Sequence, residues 1–105
     1  MNGLEVARLR RKCPPPPLPP DCPDMRYFGT EIMRWGTHDR DALGRVATIT
    51  VEDLIAHGVT RGLMVEWLTF YECEFRREPL NPSVVGRVEL LIHIVRRLHW
   101  PEEAS

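Results

Sequence analysis

Between Asn81 and Trp100 the chain carries its most constraining pattern. Val84, Val88, Leu91, Val95 and Leu98 recur at steps of four, three, four and three, which is one face of an α-helix. Val85, Leu90, Ile92 and Ile94 widen that stripe until most of the circumference is apolar. A helix this apolar needs cover on several sides, so the remaining elements are expected to wrap round it. Its ends are marked as well. Asn81 and Pro82 supply an N-cap and a proline at the first helical position, and Pro101 stops the run. Gly86 lies inside the helix, where glycine costs about 1 kcal/mol relative to alanine. Close approach of another backbone would explain it, with the Trp35-Gly36 turn as the expected neighbour.

The upstream segments are shorter but well punctuated. Asp24 can cap a helix in which Phe28, Ile32 and Trp35 share a face, with Gly36 as its stop. Asp39 is a candidate N-cap for a helix over residues 40–48, whose apolar members are Leu43, Val46, Ala47 and Ile49. Thr50-Val51-Glu52-Asp53 sets a capping hydroxyl three residues before a carboxylate, and Gly58 closes the helix it opens. Thr60 caps the next, over residues 61–77, with Met64, Trp67, Leu68, Tyr71 and Phe75 at helical steps. No strand of any weight is written. The expected fold is all-α: a small orthogonal bundle of about five short helices round the apolar C-terminal helix, preceded by a Pro-rich extended segment.

Chain length, 105 residues, leaves room for one small domain. The expected division is a basic and Pro-rich segment over 1–22, a helical domain over 23–101 and a tail over 102–105. Cys13 to Pro20 holds six prolines and reads as a polyproline II rod, best taken as a stiff spacer. Arg11-x-x-Pro14-x-x-Pro17 also fits a basic PxxP ligand. No apolar run approaches the roughly 20 residues that span a bilayer, and residues 1–12 lack the apolar core of a secretory signal. A net charge of −1 provides no bulk attraction to nucleic acid or to a membrane. Of the three cysteines, Cys13 and Cys22 could close a short loop in an oxidising compartment, while Cys73 reads as a small buried side chain. A reducing environment, the bacterial cytoplasm, is the default expectation.

Residues 34–41 form the densest polar cluster. His38 and Asp39 or Asp41 could act as acid and base, with Arg34 and Arg45 holding a phosphate or carboxylate. Against this, Asp39 already has a capping role. No phosphate loop, nucleophile elbow or dinucleotide signature occurs. The four histidines are scattered and no Cys-x-x-Cys is present, so neither a metal site nor a cofactor is expected. His93 reads as a buried neutral imidazole, and His57 and His99 as helix C-terminal residues. Arg87, Glu89 and Arg45 are expected to bond loops or pair across helices. Gly58-Val59-Thr60 joins two helices as a helix-turn-helix would. In that register, however, Asp53 and His57 take positions that should be apolar, and an ordinary αα-corner fits better.

Collected pieces of the sequence resemble an uncharacterised small bacterial helical domain. They are Arg34-Trp35-Gly36-Thr37, Ile49-Thr50-x-Glu52-x-Leu54, Gly58-Val59-Thr60, Trp67-x-x-Phe70-Tyr71 and Asn81-Pro82-Ser83-x-x-Gly86-Arg87-x-Glu89-Leu90. The resemblance spans residues 34–98. It implies a setting in prophage proteins or at the C-termini of secreted, toxin-like proteins, and it carries no catalytic set.

Three functions compete. The first is a non-enzymatic interaction or oligomerisation module that binds a protein partner or a second copy through Trp67, Tyr71, Phe75 and Arg87. The second is a toxin-type effector enzyme acting on nucleic acid or a phosphorylated small molecule through Arg34, His38, Asp39, Asp41 and Arg45, exported by a non-classical route. DNA binding through the 51–77 helix pair is third. The interaction module is the reading carried forward.

Overall fold

The computed structural model describes residues 13–101. Asp24 opens the helical part, its carboxylate accepting from the Tyr27 amide at 2.8 Å. Helix α1 begins as an α-turn over Met25–Tyr27 and runs on as a π-helical stretch over Phe28–Met33. Arg34 and Gly36 then both take left-handed backbone, with φ of 53° and 62°, and the reversal turns Trp35 inward. Helix α2 covers Asp39–Val46 and α3 covers Val51–Ala56. Helix α4, Arg61–Arg77, is the longest. Helix α5 covers Pro82–Ile92 and continues as a π-turn over His93–Arg97. No strand occurs among the described residues, so the all-α expectation holds.

The caps form where short-range chemistry demands them. Thr50 Oγ1 accepts from the Asp53 amide at 3.1 Å, and Thr60 Oγ1 accepts from the Leu63 amide at 3.1 Å. Asn81 Oδ1 accepts from the Ser83 amide at 3.1 Å, with Pro82 at the first helical position. Each bond satisfies an amide that the helix itself leaves without a partner. At α2 the expectation is corrected: His38 is the N-cap and Asp39 is already helical.

One core joins all five helices. Phe28, Ile32 and Met33 of α1 meet Leu54 of α3, Met64 and Trp67 of α4, and Leu90, Leu91 and Ile94 of α5, all essentially without solvent contact. Helix α5 packs mainly against α2 and α4. Its buried face is Val84, Gly86, Leu90, Leu91, Ile94 and Val95, while Val88 and Leu98 of the expected stripe are only partly covered. The helix also ends at Arg97 and not at Trp100. Leu98 donates to the His93 carbonyl at 3.1 Å, a bond to the fifth residue back, and the wider turn re-aims the last apolar side chains. Trp100 Nε1 folds back on the Ile94 carbonyl at 2.9 Å, and Arg61 Nε reaches the Val95 carbonyl at 3.3 Å. Terminal carbonyls of α5 thereby gain the partners they would otherwise lack.

Gly86 sits where two backbones meet. A Cβ there would lie 2.5 Å from Asp39 Cα, 2.9 Å from the Asp39 carbonyl oxygen and 3.1 Å from Ala42 Cβ. The close approach is the one the sequence implied, but the neighbour is the start of α2, not the Trp35-Gly36 turn. The same crossing explains why α2 buries Ala42 and leaves Leu43 exposed, while Val46 and Ile49 pack on the core as expected. Only a small residue fits against Gly86.

The expectation of a free Pro-rich spacer does not survive from Cys13 onward. Cys13 forms a disulfide with Cys73 of α4 across a sequence separation of 60, and Cys22 is the free thiol. Trp67 Nε1 donates to the Pro17 carbonyl at 3.1 Å. Leu18 and Cys22 pack on the core, and Pro20 touches the Gly58 turn. The sequence left a Cys13–Cys22 pairing open, but the bond formed is a different one, and Cys73, expected as a small buried side chain, is half-buried and cross-linked. The basic residues before Cys13, and the tail after Pro101, lie outside the described residues.

Candidate functional site

The polar residues singled out as a catalytic set are divided between surface and interior. Arg34 and His38 are exposed on the turn between α1 and α2. Arg34 Nε donates to the Glu31 carbonyl at 3.4 Å, turning back on its own helix. The His38 amide donates to Asp41 Oδ2 at 3.2 Å, and the Arg40 amide donates to Asp39 Oδ1 at 2.9 Å. Both carboxylates thus serve the first turn of α2, where negative charge suits the helix dipole. Arg45 is 8% exposed and turned the other way. Its Nε donates to the Met33 carbonyl at 3.1 Å, and Nη2 donates to the Ile32 carbonyl at 3.2 Å. Nη1 donates to Thr48 Oγ1 and Nη2 also donates to Asp53 Oδ2, both at 3.1 Å. This guanidinium ties the ends of α1, α2 and α3 together and has no reach left for a ligand.

Of the residues expected to bind a partner, two are corrected. Trp67 is 1% exposed and Tyr71 4%, because both stack in a ring cluster with Phe28, Trp35 and Phe70. The edge-to-face pairs Trp35–Tyr71 and Trp67–Phe70 have centroids 5.2 Å and 5.4 Å apart. Arg87 closes that cluster. Its guanidinium lies 4.9 Å from the Trp35 ring centre and 5.6 Å from that of Tyr71. Arg87 Nη2 donates to the Gly36 carbonyl at 2.8 Å, and Nη1 donates to Tyr71 Oη at 3.1 Å. Burial pushes the Tyr71 phenol above its ordinary value, and the positive charge of Arg87 partly offsets this. Loop bonding by Arg87 is the role the sequence suggested.

Phe75 alone of the expected aromatic anchors faces solvent, at 40% exposure. It borders a furrow of about 290 Å³ between the end of α4 and the start of α5. Val85 and Val88 form the other apolar wall, and Glu72, Arg76 and Glu89 supply charge at its margins. At the same end of the molecule Leu80, on the connection between these helices, is 94% exposed. Sequence reading missed Leu80. Its only signal was an apolar residue isolated between Pro79 and Asn81, in a turn that needs none.

The family model of Domain of unknown function (DUF4951) matches residues 5–98. The chain belongs to that family. The DUF4951 match takes in the Pro-rich stretch that the resemblance read from residues 34–98 left out, in keeping with its packing on α4. An NMR structure of a protein from Acinetobacter baumannii is similar, at 30% identity over 81% of each chain with a TM-score of 0.66. No curated protein matches this chain.

In this DUF4951 chain other titratable side chains pair within single helices, as Arg77 does with Glu74 at 2.7 Å on α4. His57 Nε2 lies 3.9 Å from Asp53 Oδ1 on α3, beside the Arg45 contact. His93 Nδ1 is buried at the start of the α5 π-turn with no partner among the described residues. Among the described residues no three His, Cys, Asp or Glu side chains gather closely enough to hold a metal ion. No described helix is long and apolar enough to cross a membrane.

Proposed function

We infer that this chain is a non-enzymatic interaction module that pairs with a second copy of itself through the α4–α5 tip. The observation that carries this reading is Leu80, almost wholly exposed on the connection between the two helices whose Phe75, Val85 and Val88 border an apolar furrow. A two-fold pairing needs a patch that complements itself. This one offers a knob, a recess, and margin charges of both signs, so Arg76 of one copy can face Glu72 or Glu89 of the other. Leu80 gains meaning as part of a patch with Phe75, at the end of the molecule where the apolar furrow opens, because contiguous exposed apolar surface is what marks an interface. The effector reading, by contrast, needs Arg45 to share a cleft with His38, whereas its donors are taken up by backbone and Asp53. The Cys13–Cys73 disulfide further supports an oxidising working compartment in place of the reducing cytoplasm.

Sedimentation equilibrium tests the pairing. A concentration-dependent dimer is expected, and Leu80→Asp should abolish it with the helical far-UV signal unchanged. A chain that stays monomeric at every concentration, or a dimer indifferent to Leu80→Asp and Phe75→Ser, sinks this assignment.

A further inference from the structure

The Pro-rich segment lies against α4 and shares one feature with polyproline II ligands in aromatic grooves: an indole N–H bonded to a prolyl carbonyl. Such ligands have few amide donors, so recognition relies on ring faces for the prolines and on a donor for a prolyl carbonyl. Here Trp67 Nε1 donates to the Pro17 carbonyl at 3.1 Å, with Phe70 set edge-on to Trp67 beside it. Pro14 and Pro16 border a recess of about 470 Å³ whose α4 wall includes Val65, Thr69 and Phe70. That recess is not filled by the segment, so the groove has more room than its resident uses. At one end the segment is held by the Cys13–Cys73 disulfide, and at the other by chain continuity through Pro20 into α1.

We propose that this face of α4 is a receptor for a polyproline II segment, filled in the oxidised chain by residues 13–20 and opened to one in trans when Cys13–Cys73 is reduced. The resident needs no folding to fit, because prolines hold its shape both docked and free. The disulfide therefore acts mainly on local concentration: it pins the far end of a stiff ligand that is otherwise tethered only at Pro20. The reductant is a dithiol. One of its thiolates attacks Sγ of Cys73, the less buried of the pair, forming a mixed disulfide while Cys13 Sγ leaves and takes a proton. The second thiolate of the dithiol then displaces Cys73 Sγ, which takes the other proton. The dithiol ends as a disulfide, having passed two electrons to the protein. Cys22 does not substitute for it, since a single thiol can only exchange into the disulfide and cannot reduce it.

The test uses the full chain and a synthetic Ser-Pro-Pro-Pro-Pro-Leu-Pro-Pro peptide, which reproduces residues 13–20 with serine in place of Cys13. The Trp67 indole N–H is followed by NMR, its resonance assigned with Trp67→Phe. In oxidised protein the signal should exchange slowly and ignore the peptide. With a dithiol, or in Cys13→Ser/Cys73→Ser, its exchange should quicken at least tenfold and the peptide should shift it saturably, with far-UV helicity retained. Three results overturn the proposal. One is an indole unchanged by reduction. Another is an indole that opens yet ignores the peptide. The third is loss of helicity on reduction, which would make the disulfide a staple of the fold and not a latch. A peptide of the same composition with the prolines replaced by alanine controls for shape and should not bind.

Discussion

At Gly86 the lack of a single methyl group sets how closely α5 and α2 can cross. Helix propensity alone favours alanine at an interior position by about 1 kcal/mol. The contact opposes it, because the added Cβ would meet the Asp39 backbone at 2.5 Å, and backbone cannot swing aside as a flexible side chain can. Gly86→Ala is therefore expected to destabilise the fold by about 1–3 kcal/mol, the usual cost of overpacking. Gly44, also helical but with nothing within 4 Å of a built Cβ, supplies the contrast. Gly44→Ala should stabilise by up to about 1 kcal/mol. Urea denaturation of both variants decides the matter, and a stabilised Gly86→Ala would refute the crossing. The sequence could show that something comes close to Gly86, because a glycine inside an apolar helix is costly without a reason. It could not show that Asp39 is the neighbour, because which backbone approaches depends on how α2 is docked. Arg87 was legible for a similar reason, as a cation set among Val84, Val85 and Val88 that needs a partner. Leu80 was not, since an exposed leucine has no requirement that periodicity can register.

Helices were legible where their boundaries are local chemistry. Thr50, Thr60 and Asn81 each satisfy an amide two or three residues on, so the cap is decided within one turn. The π-helical turns of α1 and α5 were not legible, because their apolar spacing resembles that of an α-helix. At α5 the wider turn goes with partners from beyond it, Arg61 of α4 and Trp100 past the helix end, which take the Val95 and Ile94 carbonyls. Arg45 works at this scale too, as the joint of three helices. Its planar fork matches four acceptors on α1, α2's end and α3 at once. Arg45→Met keeps most of the stem's packing but strands the Ile32 and Met33 carbonyls, so a loss of about 2–4 kcal/mol is expected. Arg45→Lys should recover less than half of it, because one ammonium cannot span the same acceptors. The check is the urea midpoint at unchanged slope. A lysine variant as stable as wild type would show that charge alone, and not the fork, makes the joint.

For the whole molecule the largest departure from the sequence reading is the position of residues 13–22. Six prolines imply stiffness, but stiffness says nothing about direction, and a stiff rod is as able to lie along a domain as to lead away from it. Three cysteines allow three pairings, and the one formed joins residues far apart in sequence, which no local pattern can single out. The consequence is thermodynamic. A cross-link between Cys13 and Cys73 closes a loop of 60 residues' separation, for which chain entropy gives about 4 kcal/mol of stabilisation. Each 1 kcal/mol moves the midpoint of a domain this size by roughly 4–8 °C. Reduction, or the Cys13→Ser/Cys73→Ser change, should thus lower Tm by on the order of 15–30 °C in differential scanning calorimetry. The chain should stay folded at room temperature, provided its stability lies within the usual range of roughly 5–15 kcal/mol. The two treatments should agree, because both remove the same constraint from the unfolded chain, whereas Cys22→Ser should leave Tm nearly unmoved. A reductant shift of only a few degrees would mean that the unfolded chain gains little freedom, and the Pro-rich segment would then owe its place on α4 to packing against Trp67 and Phe70 alone.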